Sequence, residues 1–172
     1  MKQETSTKTR KASSLSQSKL PFGSTSSRPS KSSSSGTSKA DILISIKPVH
    51  MNNIVERKKN HEFRKYLISN TVERMWFYVS SPDSTLRYIA TIGHGKSPGE
   101  IEDEEGLGNA DFNAGLKVSK YGYEIKELYQ LNEPLALTEM KERYGASCPQ
   151  RFSYVSEKMI GSIVLEEQIR LF

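Results

Sequence analysis

The sequence predicts an α+β domain over residues 41–172, built round a small curved sheet or β-barrel with short flanking helices and preceded by a disordered tail over residues 1–40. Three observations lead there. Composition changes abruptly near residue 40, five or six short β-prone runs follow, and three short helical patterns lie among them without a regular strand–helix alternation.

The tail holds eight Lys or Arg against one acid and fourteen serines, with few large apolar residues. Such a segment cannot bury enough surface to offset the entropy of ordering it. The net charge of +5 therefore belongs to the tail, and the remainder sums to about −2. The tail reads as a solvated linker with phosphorylatable serines, or as an arm attracting nucleic acid. It is Ser-rich and acid-poor like a transit peptide, yet lacks the Arg-rich amphipathic pattern, and it has no apolar core of a secretory signal. No run of apolar residues is long enough to span a membrane. One cysteine, Cys148, excludes an internal disulfide and fits a reducing compartment, the nucleus or the cytoplasm.

The elements follow in order. ILISI (42–46) is a β-branched run ended by Lys47-Pro48, and Pro48 suits the first turn of a helix in VHMNNIVERKK, where Val49, Met51 or Asn52, Ile54 and Val55 fall near helical spacing. KKNHEFRKYLI alternates, so that on a strand Glu62 and Arg64 share one face while His61 and Phe63 share the other. VERMWFYVSSP is the most β-prone segment: Trp76 and Tyr78 face one way, and Met75, Phe77 and Val79 the other. Both sets can fill cores, or one set can edge a cleft where a nucleobase stacks. TLRYIATIGHGKSP predicts a strand running into a Gly-rich turn. GEIEDEEGLGNADFNAGLK is an acidic loop or short helical piece, too interrupted by glycine for a long helix. YGYEIKELYQL predicts a long strand with a bulge. LTEMKERYG predicts a helix with Thr138 as N-cap and Gly145 as its left-handed stop. CPQRFSYV is a short strand, and Ser156 caps a last helix whose stripe is Met159, Ile160, Ile163, Val164 and Ile169.

Several patterns that suggest chemistry fail on spacing. A phosphate loop ending in Gly95-Lys96 needs glycine where Ala90 stands. His50, His61 and His94 are too scattered for a metal site and no cofactor motif occurs, so neither metal nor cofactor is expected. Catalysis by Cys148 needs a positioned base that no motif supplies.

The order of ILISIKP, a helix, Lys59-x-x-Glu62-x-Arg64 and a β-run ending YVSSP resembles the ASCH family of the PUA-like superfamily. That family's hallmark is a strand ending Lys-Pro, a helix and the pattern G-x-K-x-x-E-x-R. Lys47, Pro48, Lys59, Glu62 and Arg64 fall where the pattern has them, while Arg57 stands at the glycine position. The match covers residues 42–92, and GLGNADFNAGLK has no counterpart in it. The resemblance implies a PUA-like small mixed β-barrel with a cleft beside the helix, in a family regarded as RNA-binding. Some small bacterial members look like amidohydrolases that remove an acetyl group from N4-acetylcytidine with a Lys, a Thr nucleophile and a Glu. Lys59 matches that Lys, but Glu62 stands at the Thr position. A carboxylate replaces a hydroxyl poorly in amide cleavage, so that reaction is not supported.

The expectation is a domain that binds RNA or a modified nucleotide in a cleft of Lys47, Lys59, Glu62, Arg64, Tyr78, Ser80 and Ser81. One alternative is a hydrolase or nuclease acting in the same cleft, with Lys59 and Glu62 as its acid or base. Another is a protein-interaction module using the acidic loop 100–105 and the last helix, with Lys59, Glu62 and Arg64 forming only a structural ion pair.

Overall fold

The computed structural model of the protein describes residues 36–172. Seven strands form one mixed sheet: β1 (Thr37–Ile46), β2 (His61–Arg64), β3 (Arg74–Val79), β4 (Thr85–Lys96), β5 (Tyr121–Ala136), β6 (Ser153–Ser156) and β7 (Ile169–Arg170). Four helices accompany them: α1 (Pro48–Val55), α2 (Asn109–Asn113), α3 (Leu137–Tyr144) and α4 (Glu157–Ser162). The strand order is β2-β5-β4-β3-β1-β6, with β7 pairing β5. Only β1 and β3 run parallel, and the chain between them makes α1 and β2. Among the described residues the path is open, with no ladder joining β2 to β6, so the curved sheet or barrel expected from sequence is not closed. No helix of the described residues is long and apolar enough to cross a membrane.

Both faces of the sheet are covered, which is why ILISI reads as a continuous apolar run. On one face α1 buries Met51 and Ile54 against Ile42, Ile44, Ile46, Met75, Phe77, Val79 and Ile125. On the other, Met140 of α3 and Met159 of α4 pack on Leu43, Trp76, Tyr78, Leu86, Ile89 and Leu135. Each such side chain, fully buried, contributes about 1.5–3 kcal/mol relative to exposure. The two aromatic sets of β3 therefore both fill cores, and Tyr78, expected at a cleft, lies in the second core.

β1 begins at Thr37, so residues 37–40 of the expected tail are strand, and residues 1–35 lie outside the described ones. Buried Asp41 fixes this start. Its carboxylate accepts from Arg74 Nε (2.5 Å) and Nη2 (2.8 Å), Trp76 Nε1 (2.9 Å) and Ser38 Oγ (2.8 Å). Burial alone would raise its pKa, but these donors together hold it below the ordinary carboxylate value.

Other boundaries differ from the sequence pattern for local reasons. GHGK is the end of β4 and not a turn: register shifts near Ile92 absorb the extra residues, and Gly95 leaves room for the Tyr123 ring, 3.1 Å from where a Cβ would stand. β5 continues through Pro134, which is tolerated because the ladder to β4 breaks between Leu86 and Tyr88. The N-cap of α3 is Ala136, two residues before Thr138; its N–H donates to the Glu139 carboxylate at 3.1 Å, and Gly145 ends the helix with φ 65° as expected. Ser156 caps α4, accepting from the Met159 N–H at 3.3 Å. That helix stops at Ser162, where β-branched Ile163 turns extended. The chain then makes a 3-10 turn (Leu165–Glu167) and returns as β7, leaving Val164 and Ile169 outside the expected stripe.

Candidate ligand pocket at the edge of the sheet

Lys59, Glu62 and Arg64 converge as one charged network on the edge strand β2. The segment after α1 is held by Arg57 N–H to Ile54 C=O and Lys59 N–H to Asn53 C=O, both 2.9 Å. Arg57 adopts φ 59° to make this turn. That left-handed conformation favours glycine, the residue of the resembled pattern, and strains an arginine. The turn aims Lys59 inward, where Nζ donates to Glu62 Oε2 and to the His61 carbonyl, each at 2.5 Å. Glu62 Oε1 forms an ion pair with Arg64, 2.9 Å from Nη2, and the same Nη2 donates to the Ser45 carbonyl of β1 at 2.8 Å. Strand alternation thus places Glu62 and Arg64 together, as the sequence indicated.

Lys59 and Glu62 are both buried. Burial pulls the Lys59 pKa below that of an ordinary lysine, with the Glu62 carboxylate opposing. Burial alone would raise Glu62, but Lys59 and Arg64 outweigh it and hold the carboxyl below its ordinary value. Glu62 is an ionised anchor with a cation on each oxygen. Its lowered pKa makes it a weak base.

Beside this network opens a cavity of about 500 Å³, lined by His50, Lys59, Glu62, Phe63, Leu107, Gly108, Asp111, Leu116, Lys117, Val118 and Ser119. His50 comes from α1, the next three from β2 and its approach. The rest form a roof from the GLGNADFNAGLK segment and the residues just after it. The roof is tied down by Leu107 N–H to the Lys58 carbonyl (2.8 Å) and by Phe112 packed on Phe63 at 4.8 Å between centroids. Lys59 and Lys117 each place Nζ 5.2 Å from the Phe63 ring centre. Gly108, at φ 86°, lets Lys117 lie across it, since a Cβ there would meet Lys117 Nζ at 2.8 Å. Leu107, Leu116 and Val118 are 51%, 76% and 73% exposed, an apolar lip without a partner.

Of the residues expected at a site, only Lys59 and Glu62 line this cavity. Arg64 stands behind Glu62. Lys47 is exposed at the N-cap of α1, Ser80 donates its N–H to the Ile46 carbonyl at 2.9 Å, and Ser81 is exposed. Lys47, Tyr78, Ser80 and Ser81 do not line the pocket. Sequence did not single out His50, Phe63 or the roof. The available signals were three large apolar residues in a glycine-interrupted polar stretch, and an aromatic inside the charged motif.

The acidic loop is bound into the fold. Asp103 accepts from Asn60 Nδ2 (2.5 Å) and Asn113 clasps the Ile101 backbone in both directions. Behind the pocket, Asn60 Oδ1 accepts from Asn109 Nδ2 and lies 2.8 Å from His61 Nδ1. Burial, with Lys96 adding to it, pushes His61 down to about 4. An unfolded histidine titrates near 6.5. Between those values a falling pH protonates the unfolded chain and not the native one, so stability falls. At 1.36 kcal/mol per pH unit the loss is at most about 3 kcal/mol. Urea midpoints from pH 7 to pH 4 should decline in this window, and His61→Gln should flatten the decline. An equally steep curve in the variant would assign it elsewhere.

No protein-family model and no curated protein matches the sequence. Among solved structures, the crystal structure of ASCH from Zymomonas mobilis is similar with a TM-score of 0.55 and 19% identity, over 73% of this chain and 96% of that one. A serine-to-alanine mutant of that protein gives a TM-score of 0.57 at 17% identity, over 77% of this chain and 99% of that one. A tyrosine-to-phenylalanine mutant gives 0.56 at 17%, over 75% and 99%. The described part of this chain has the ASCH fold.

Proposed function

We propose that this ASCH-fold domain binds RNA or a modified nucleotide, taking one base into the pocket between β2 and the 107–119 roof. The observation that carries the reading is the pairing of Phe63 with the apolar lip of Leu107, Leu116 and Val118, beside Lys59 and Lys117, around about 500 Å³. A base needs apolar or aromatic surface for its faces and polar groups at its rim, and the volume is in the range of small-ligand sites. Lys59 gives two of its three protons to the protein, which leaves one for a carbonyl on a base or its modification. The PUA-like barrel is the frame this reading assumes, with Arg64 of edge strand β2 donating to the Ser45 carbonyl of β1.

Binding is favoured over cleavage because Glu62, with a cation on each oxygen, is held below its ordinary pKa and is a weak base. Leu116→Asp combined with Val118→Asp should weaken binding of mixed-sequence single-stranded RNA at least tenfold, since stacking is worth ~1–3 kcal/mol per base. Both side chains are exposed, so the melting temperature should hold. Unchanged affinity, measured by fluorescence anisotropy, would remove the pocket from the reading.

A further inference from the structure

A second cavity, of about 270 Å³, lies on the other side of Lys59, walled by Arg57, Lys59, Asn60, Asp103, Lys126 and Phe172. Lys59 lines both this space and the larger pocket, so the two are neighbours with one buried ammonium between them. Arg57, Lys59 and Lys126 line it together with Asp103, which is already engaged by Asn60. Among the described residues neither Arg57 nor Lys126 makes an ion pair, whereas Lys58, Lys59, Arg64 and Lys96 do. Arg57 holds its place at a cost: it is strained at φ 59°, where a glycine would sit freely, and its guanidinium is propped over the Phe172 ring at 4.9 Å. Backbone strain kept by a bulky charged residue is a mark of a ligand clamp when the side chain faces a cavity.

We infer that this cavity is an anion subsite for the backbone phosphate adjoining the base in the main pocket, contacted by Arg57 and Lys126. The inference rests on the RNA reading above for the identity of the anion's carrier. Arg57 offers the planar fork that suits phosphate oxygens, Lys126 a mobile point charge, and Asn60 and Lys59 a polar back wall.

Two measurements test it on the full chain. The first compares the salt dependence of binding to a mixed-sequence single-stranded RNA for the wild type and for Arg57→Gly with Lys126→Ala. Glycine keeps the left-handed turn, so the variant should fold. Two lost phosphate contacts should shallow the slope of log K against log salt by about 1.4 and weaken binding about tenfold or more at moderate salt. The second follows backbone amide shifts of residues 57 and 126 as inorganic pyrophosphate is added. RNA binding with a slope unchanged in the variant overturns the subsite and leaves the base pocket standing. If the wild type fails to bind RNA even at low salt, the base-pocket reading fails. The pyrophosphate shifts then decide alone: saturating shifts lost in the variant keep an anion site, and none overturns it.

Discussion

Replacing Glu62 with glutamine should destabilise the protein by about 3–5 kcal/mol, the usual cost of removing one partner from a buried ion pair. Lys59 would be left as a charge without a counter-ion, and the glutamine amide would set N–H donors against the donors of Lys59 or Arg64. Burial already depresses Lys59, and without the carboxylate only the His61 carbonyl would oppose that depression. Lys59→Met added to Glu62→Gln should recover at least half of the loss, because it removes the stranded charge and fills its volume. Urea unfolding at pH 7 measures both variants, and a Glu62→Gln cost below about 1 kcal/mol would refute a buried pair of this kind. The pH dependence follows from the lowered carboxyl. Glu62 contributes fully above the ordinary value of 4.5, and the contribution is lost as pH falls through its lower folded value. The variant should lack that acid limb.

The second large effect belongs to Asp41. Asp41→Asn keeps the shape but turns one acceptor into a donor facing Arg74, and it removes the charge that receives the guanidinium. Arg74 is 30% exposed, so water can take up part of the loss. A cost of about 2–4 kcal/mol is expected, smaller than for Glu62. Trp76 is the chain's one tryptophan, and its indole N–H loses a charged acceptor in the same variant. Its emission in the native state should therefore shift, reporting the site directly alongside the urea midpoint. Native emission identical to the wild type, with an unchanged midpoint, would mean that Asp41 does not anchor the indole.

Sequence carried most of the elements and the charged network beside the candidate pocket, but little of the pocket's lining. β-Branched runs, prolines and alternation located the strands through β3, because those signals act within a few residues. Glu62 and Arg64 could be paired from period two alone. Lys59 could not be placed inside a pocket by local reasoning, because its burial depends on a roof far along the chain. The roof itself has neither a long periodic pattern nor strong propensity. It is held by tertiary ties such as Asn109 to Asn60, which leave no trace in local composition. Tyr78 was assignable to a face but not to a core or a cleft. That choice depended on α3 and α4 covering the second face, which only the three-dimensional arrangement fixes. The C-terminal segment was read as helix because its apolar residues fit that spacing. Gly161 and β-branched Ile163 and Val164 favoured a stop, and Asn132 then ties down the chain's return by donating to the Glu167 carbonyl and to Gln168 Oε1.

The placement of β2 carries a consequence for how the pocket is assembled. The charged motif is compact in sequence, yet β2 has one sheet neighbour, and that neighbour is Tyr121–Glu124 of β5. β1, β3 and β4 can register with one another over shorter chain separations. During synthesis β2 therefore waits, with Lys59 and Glu62 in water, until the chain beyond the roof has emerged and the long loop between them closes. The candidate pocket thus needs the chain through Glu124, while β6, which pairs with β1, closes a longer loop still.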